Sequence, residues 1–459
     1  MLISSESSAQ LRARIEQGEK ECFCTGLFLS ARWFVLSQIA TEGFHLVILP
    51  NREAAEYCAN DLYGMVDGDR VFYLPASGKG IESSNYKSTL GVQRTAAISK
   101  ILTHKEDELT IVVSYPEALC ERIPESQKIK EVILKIGKGD EISHDEIIYA
   151  LGAEGFERVD FVSAPGQFAI RGSIVDIFSY SYNNPYRISF FGNEVEQITV
   201  FDCNTQLSKE SIEYMEIVPR LVSSGEGESS VSIASVLPES TLVWLDSSDM
   251  YRGSEFYNEY IQFRRVYIDT PIAADKDKAI KFSISPQPAF NKNFDLLAAD
   301  IRSKIESNYK VFIYCDKISQ KERLKSILLE NEGLVPEFVQ GKNIHNGFVD
   351  SEDKVCCYSD HEIFDRFHRA SLRRTVDKSE QLTLNELSSF NIGDYIVHID
   401  HGIGRFGGLI TTDVGGKRQE VIKLIYRNNS LSDETSKCST ETKLSERHNS
   451  LCSLVAYKL

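Results

Sequence analysis

Three short stretches of this chain carry residue types suited to handling a nucleotide phosphate. Gly26-Leu27-Phe28-Leu29-Ser30-Ala31-Arg32-Trp33 lies between an expected strand and an expected helix, where a nucleotide-binding loop belongs. The working pattern is G-x-x-x-x-G-K-[ST]: glycines let backbone N–H groups close on the phosphates, Lys reaches the terminal phosphates and the hydroxyl holds magnesium. Here only Gly26 is in place. Ala31 puts a Cβ where the loop needs room, Arg32 replaces the compact ammonium, and Trp33 cannot ligand magnesium. Taken alone, so poor a match is explained as well by coincidence. Ser77-Gly78-Lys79 is a second candidate, but Tyr73 stands where the first glycine belongs. Leu242 to Asp246 (LVWLD) resembles a metal-binding acidic strand end, yet Ser247 replaces the catalytic Glu that would follow, and core strands often end in Asp. No catalytic residue, nucleotide turnover or cofactor is read from these stretches. His398, Asp400 and His401 face alternate sides of one expected strand, so no metal site is expected there.

Composition narrows the function classes further. A chain of 459 residues is too long for one ordinary domain. No run of about eighteen apolar residues occurs and the first ten residues are polar, which argues against a membrane span or a secretory signal. The ten cysteines form no C-x-x-C pair and mostly sit in apolar runs, as Cys315 does in VFIYC. A reduced, cytoplasmic protein is expected. The formal net charge of −16 disfavours direct phosphate-backbone binding and favours protein partners. Arg366, Arg369, Arg373, Arg374 and Lys378 make residues 361–389 the most basic stretch, better read as a solvated linker helix than as a phosphate-contacting one.

The elements that position these residues follow from periodicity. Helices at Gln10 to Gln17 and Arg52 to Leu62 alternate with short apolar strands at Cys22 to Thr25, His45 to Leu49, Val71 to Leu74 and Thr110 to Ser114, the pattern of a parallel sheet covered on both faces. From about Phe161 to Val218 the period changes to two, which marks an inserted antiparallel unit. Strand–helix alternation returns over residues 241–330, with strands at Thr241 to Leu245 and Lys310 to Cys315 and a helix at Ser319 to Glu330. Asn391 to Tyr426 is a compact β segment punctuated by glycines.

Alternation assigns faces within the β unit. Phe168 and Ile170 point one way, Ala169 and Arg171 the other; Ile188 and Phe190 point inward, leaving Arg187, Ser189 and Phe191 on the opposite face. Gly192-Asn193 makes the turn into Glu194 to Phe201. A Phe beside Arg on an outward face is a composition found at binding hot spots. The plainer reading has Phe191 covered by another domain and Arg187 merely paired with a carboxylate.

RGSIVDIF, PYRISFFGNEVEQI and TVFDCNTQ, within residues 166–206, resemble the UvrB-interaction domain shared by the excinuclease component UvrB and the bacterial transcription-repair coupling factors. The resemblance implies docking of UvrA, the damage-recognition component of the excinuclease, through Arg171, Arg187 and Phe191, with Ser189 replacing a usual acidic residue. It also implies that Ala31, Arg32 and Trp33 belong to the coupling-factor line, whose N-terminal module has lost ATP binding, rather than to UvrB.

GDYIVHIDHGIGRF, beginning at Gly393, resembles the RNA-polymerase-interacting domain of the same family and of CarD-like regulators, which grips the polymerase β subunit. By position the contact strand and loop run from Leu409 to Glu420, with Leu409, Thr411, Thr412, Lys417 and Glu420 as the expected polymerase-binding residues. The implied fold is a multi-domain α/β chain: a degenerate UvrB-like, helicase-like α/β body, an inserted mainly antiparallel β docking domain, a further α/β domain and a small C-terminal Tudor/SH3-like β-barrel. The expected boundaries are 1–125 for the degenerate nucleotide-binding-like domain, 126–218 for the docking domain, and 219–280 for the return segment of the body. A small α/β domain at 281–360, the linker at 361–389, an incomplete CarD-like domain at 390–428 and a polar tail at 429–459 follow. The tail matches no part of the family, so the barrel is expected to lack its closing strand and to fold poorly at its end, as a truncated or frameshifted gene product would.

The function this implies is a non-catalytic docking region that links stalled polymerase to nucleotide excision repair. In the family the UvrA-docking face is masked by a C-terminal region, which leads us to expect an exposed face here. Damaged DNA would be reached only indirectly. Two alternatives remain: an ATP-dependent DNA translocase, as full coupling factors are, and a stand-alone CarD-like transcription regulator.

Overall fold

The computed structural model describes residues 6–66, 68–77, 84–125, 133–180, 184–203, 206–219, 221, 230–250, 252–268, 279–332, 336–366, 393, 395–398, 402–414, 417–425 and 439–443. The chain divides into two units, residues 1–375 and 376–459. The first begins with the helix Glu6–Glu16 and the strands β1 (Glu21–Thr25), β2 (Phe44–Ile48), β3 (Val71–Tyr73), β4 (Thr110–Ser114) and β5 (Ile123–Pro124). Every residue of β2 and β4 is buried, as strands covered on both faces require. The helices Ala31–Ile39 and Arg52–Met65 connect them, the second capped by Asn51, whose side chain accepts the Ala54 N–H. A fourth helix, Ser84–Thr103, escapes the periodicity reading because Gln93, Arg94 and Thr95 occupy buried positions on it and blur its apolar stripe.

After β5 the chain leaves the body for the inserted unit. Its strands are β6 (Leu134–Gly137), β7 (Glu157–Arg158), β8 (Gln167–Arg171), β9 (Ile174–Ile177), β10 (Tyr186–Phe191), β11 (Glu194–Phe201), β12 (Ser208–Ile212) and β13 (Tyr214–Ile217). Six of them form one sheet in the order β12-β11-β10-β9-β8-β7, and β13 pairs with β6. The β8–β9 and β10–β11 hairpins turn on Gly172 (φ 62°) and Gly192 (φ 66°), first central residues of two-residue turns. A positive φ there gives the turn the right-handed twist of the strands it joins, which is why glycine stands at both.

The chain then returns through β14 (Ser230–Val231), which pairs antiparallel with β5 and forms the neck of the insertion. The strands β15 (Leu242–Asp246), β16 (Arg264–Ile268) and β17 (Ile280–Lys281) complete an all-parallel seven-stranded sheet, β17-β1-β16-β15-β2-β4-β3. Two clusters cover its faces, one around Val47, Trp33 and Trp244, the other around Leu46, Ile48 and Tyr267. The small α/β segment holds β18 (Ile284–Pro286), β19 (Lys310–Cys315), β20 (Glu337–Gln340), β21 (Phe348–Asp350) and β22 (Val355–Ser359), ordered β18-β21-β22-β19-β20. The helices Phe294–Glu306 and Ile318–Glu332 pack on it. Cys22, Cys24, Cys58, Cys315, Cys356 and Cys357 are buried as free thiols. No helix among the described residues is long and apolar enough to cross a membrane.

The second unit is an antiparallel meander of β23 (Tyr395–His398), β24 (Gly402–Val414), β25 (Lys417–Ile425) and β26 (Ser439–Lys443). The strand β26 lies within the expected polar tail. Residues beyond the family-like segment pair with β25, Val421 opposite Lys443 and Ile425 opposite Ser439. The polar run Ser-Thr-Glu-Thr-Lys suits an edge strand whose carbonyl and N–H groups are satisfied by one neighbour. Most of the expected linker helix, including Arg369, Arg373, Arg374 and Lys378, lies outside the described residues, as do Gly78, Lys79, Asp400 and His401.

Candidate protein-docking face

The inserted sheet has one apolar and one polar side. Phe168, Val175, Ile177, Tyr186, Ile188, Phe190, Val195 and Ile198 face a core closed by Ile147 and Leu151 of the helix His144–Ala153 and by Ile136, Met215 and Ile217. The other side carries Arg171, Asp176, Arg187, Ser189 and Phe191. The register aligns Ala169 with Asp176 and Asp176 with Arg187, and places Ile174 between Arg171 and Ser189. The expected facing of β10 is therefore observed: Ile188 and Phe190 are buried, Arg187 and Ser189 half-buried, and Phe191 is 79% exposed. Arg171 and Phe191 each immediately precede a turn glycine at the same end of the sheet, because β8 and β10 run in the same direction on either side of β9.

A residue not singled out in the sequence organises this face. Asp176, 0% exposed, lies beneath both arginines. Arg187 donates from Nε to Oδ1 at 2.7 Å and from Nη2 to Oδ2 at 3.0 Å, and Arg171 donates to the same Oδ2. Arg187 also reaches the Gln206 carbonyl from Nη1 at 3.3 Å. Its hydrogen bonds to Asp176 raise the guanidinium pKa further above its ordinary value. Two arginines on one carboxylate leave one net positive charge, held rigid rather than on free side chains. Arg187 stacks over the buried Phe201 ring at 4.4 Å, and Arg171 over the exposed Phe161 ring at 4.8 Å. The plainer reading is thus half met: Arg187 does pair with a carboxylate, but no described part of the chain covers Phe191. Beyond Phe191 a shallow groove of about 530 Å³ is lined by Lys138, Glu194, Glu196 and Glu213.

The degenerate loop is filled by the protein itself. Leu27, Ala31 and Trp33 are buried in the body core together with Phe282, Ile344 and Phe348. Gly26 has φ 69°, and a Cβ there would approach the Phe282 carbonyl oxygen to 2.3 Å, so its glycine is required by the segment that follows β17. Arg32 donates from Nη1 to Asp246 Oδ2 at 2.7 Å, placing a guanidinium on the acidic strand end. Ser30 donates to the buried Asp61 at 2.6 Å and accepts the Asn346 N–H at 2.9 Å, while Asp61 accepts the His345 N–H at 2.8 Å. Burial pushes the Asp61 carboxyl up to about 7 despite these donors. The segment 343–348 of the small α/β domain therefore rests on the loop. At the second phosphate candidate, the Glu121 carboxylate takes the Ser77 N–H and hydroxyl.

In the second unit, Leu409, Thr411 and Thr412 lie on β24 opposite Ile422, Glu420 and Gln419, and Val414 lies opposite Lys417. A register shift between Phe406 and Leu409, at Gly407 and Gly408, separates this stretch from the base of the hairpin. The five expected polymerase-binding residues thus share one two-stranded ribbon.

Residues 134–221 match the family model of the UvrB interaction domain, and residues 390–433 that of the CarD-like/TRCF RID domain. A transcription-repair-coupling factor of Bacillus subtilis (strain 168) is 23% identical over 522 aligned residues, covering 90% of this chain and 44% of that protein. The chain is homologous to the transcription-repair-coupling factors. Those of Staphylococcus haemolyticus (strain JCSC1435) and Staphylococcus aureus (strain USA300) are 21% and 20% identical, each over 89% of the chain. The chain spans about 44% of the length of these curated relatives.

Within this coupling-factor homologue, sequence reasoning missed Asp176 and Phe161. An Asp inside the apolar run Ile174–Ile177 was the available signal for the first, since a buried carboxylate needs cationic partners. Nothing local marks Phe161, whose ring meets Arg171 only through the fold of the preceding loop.

Proposed function

We propose that this chain is a docking region of a transcription-repair coupling factor, joining UvrA to RNA polymerase, and that it turns over no nucleotide. The observation that carries the reading is the Arg171–Asp176–Arg187 cluster beside the exposed Phe191, inside residues matched by the UvrB interaction domain. Rigid arginines and an exposed aromatic ring on a polar sheet face are the composition of a binding hot spot. UvrA is held through Arg171, Arg187, Ser189 and Phe191. The polymerase, through its β chain, is held by Leu409, Thr411, Thr412, Lys417 and Glu420, on the β24–β25 ribbon of the four-stranded meander that β26 borders. The ion pair of Arg32 with Asp246 and the buried Trp33 support a body without ATP.

The test is equilibrium binding of the full chain to purified UvrA and, separately, to polymerase. Arg187→Ala and Phe191→Ala should each weaken the UvrA complex about tenfold or more and leave polymerase binding unchanged. UvrA binding that is indifferent to both substitutions would overturn the reading.

A further inference from the structure

We infer that the docking face extends across the sheet to Phe161, and that its partner surface is an acidic patch bordered by apolar side chains; this rests on the reading of the face as the UvrA site. Phe161 is 62% exposed although it belongs to an ordered loop between β7 and β8. The loop is pinned on both sides of it. Val159 donates its N–H to the Phe168 carbonyl, Val162 is fully buried, and Gln167 Oε1 accepts the N–H groups of Ser163 at 3.1 Å and Ala164 at 3.0 Å. The ring is therefore held out in water by the fold, over the guanidinium of Arg171 at 4.8 Å.

Single exposed aromatics are common and need no explanation. This one caps an arginine whose other side is tied to Asp176, so the cluster Phe161–Arg171–Asp176–Arg187 is a preassembled strip. Preassembly matters because a partner that meets fixed side chains loses less conformational entropy on binding. The strip ends in an aromatic ring, as β10 ends in Phe191. The same face carries the net positive charge of the arginine pair and the neutral hydrogen-bonding residue Ser189. The complement of that pattern is one or more carboxylates flanked by apolar contacts, and the single occupant inferred for the face is UvrA.

Phe161→Ala, Phe161→Leu, Phe191→Ala and Arg187→Ala in the full chain, titrated against purified UvrA at low and moderate salt, decide the matter. The expected result is about a tenfold loss of affinity for Phe161→Ala, a smaller loss for Phe161→Leu, and unchanged melting of both variants. Wild-type affinity should fall as salt rises, because exposed charge pairs are screened. If Phe161→Ala binds as wild type while Phe191→Ala does not, the extension is wrong and the docking reading stands. If wild type does not bind UvrA, or binding ignores Arg187 and Phe191, the docking reading falls and takes the extension with it.

Discussion

Arg187 and Asp176 face each other across neighbouring strands and are joined by two hydrogen bonds, Nε to Oδ1 at 2.7 Å and Nη2 to Oδ2 at 3.0 Å. Arg171 shares the same carboxylate, so one fully buried Asp sets the direction of both cations on the candidate docking face.

Replacing this carboxylate should cost stability as well as binding. Asp176→Ala leaves two arginines clustered without their counter-charge, and a loss of about 3 kcal/mol is expected, the scale for breaking a buried pair. Asp176→Asn should lose less. Urea denaturation measures the first quantity, and titration with UvrA shows whether the residual fold still binds. Unchanged affinity in Asp176→Asn would mean that the arginines are not positioned by this group.

Restoring the phosphate-loop consensus should not restore nucleotide binding. The triple change Ala31→Gly, Arg32→Lys and Trp33→Ser removes a core tryptophan, which alone costs about 3–5 kcal/mol, and opens the Arg32–Asp246 pair. The expected outcome is a destabilised protein with no ATP bound in equilibrium dialysis. Saturable ATP binding by that variant would contradict a site filled by the chain itself.

Asp61 makes the contact between the loop that holds Ser30 and the small α/β domain sensitive to pH. Its folded pKa is raised to about 7 from an ordinary value of 3.8, by burial, against the lowering influence of Ser30, the His345 N–H and Arg32. Between these values the folded protein holds a proton that the unfolded chain has released. Stability therefore falls as pH rises from about 4 to about 7, and the loss is complete above that. Asp360, raised to about 6 by burial, acts in the same direction. Thermal melts at pH 5.5 and 8 should differ by several degrees in wild type and by less in Asp61→Asn. Equal differences in the two proteins would rule out Asp61 as the source.

Removing the residues after 438 should expose an edge. Without β26, the strand Lys417–Ile425 keeps only β24 as a partner, and its outer N–H and C=O groups become available to solvent or to another chain. Hydrogen exchange over Val421–Ile425 should accelerate, and self-association should rise. Unchanged protection there would show that β26 contributes nothing to the sheet in solution.

Much of this architecture is legible in the sequence because its signals are local. Buried runs such as Phe44–Ile48 and Thr110–Ser114 announce parallel strands, and the alternation of Tyr186–Phe191 assigns Arg187, Ser189 and Phe191 to one face without any tertiary knowledge. The departure of Gly26 to Trp33 from a working phosphate loop is also local, since Ala31, Arg32 and Trp33 stand where that chemistry needs Gly, Lys and a hydroxyl. The helix Ser84–Thr103 was hidden because its buried Arg94 has partners, the Pro75 and Ala118 carbonyls, that are distant in sequence.

The residue types, their periodicity and the family-like segments were determined by the sequence itself. What only the tertiary structure decided is who meets whom: that Asp176 lies under both arginines, that Phe161 caps one of them, and that Arg32 reaches Asp246 across 214 residues of chain. The pairings of Asp176 follow from strand order and register, and the other two from the packing of a loop and a helix against their sheets. All are set by the packing of apolar faces, a cooperative outcome that no window of local sequence contains.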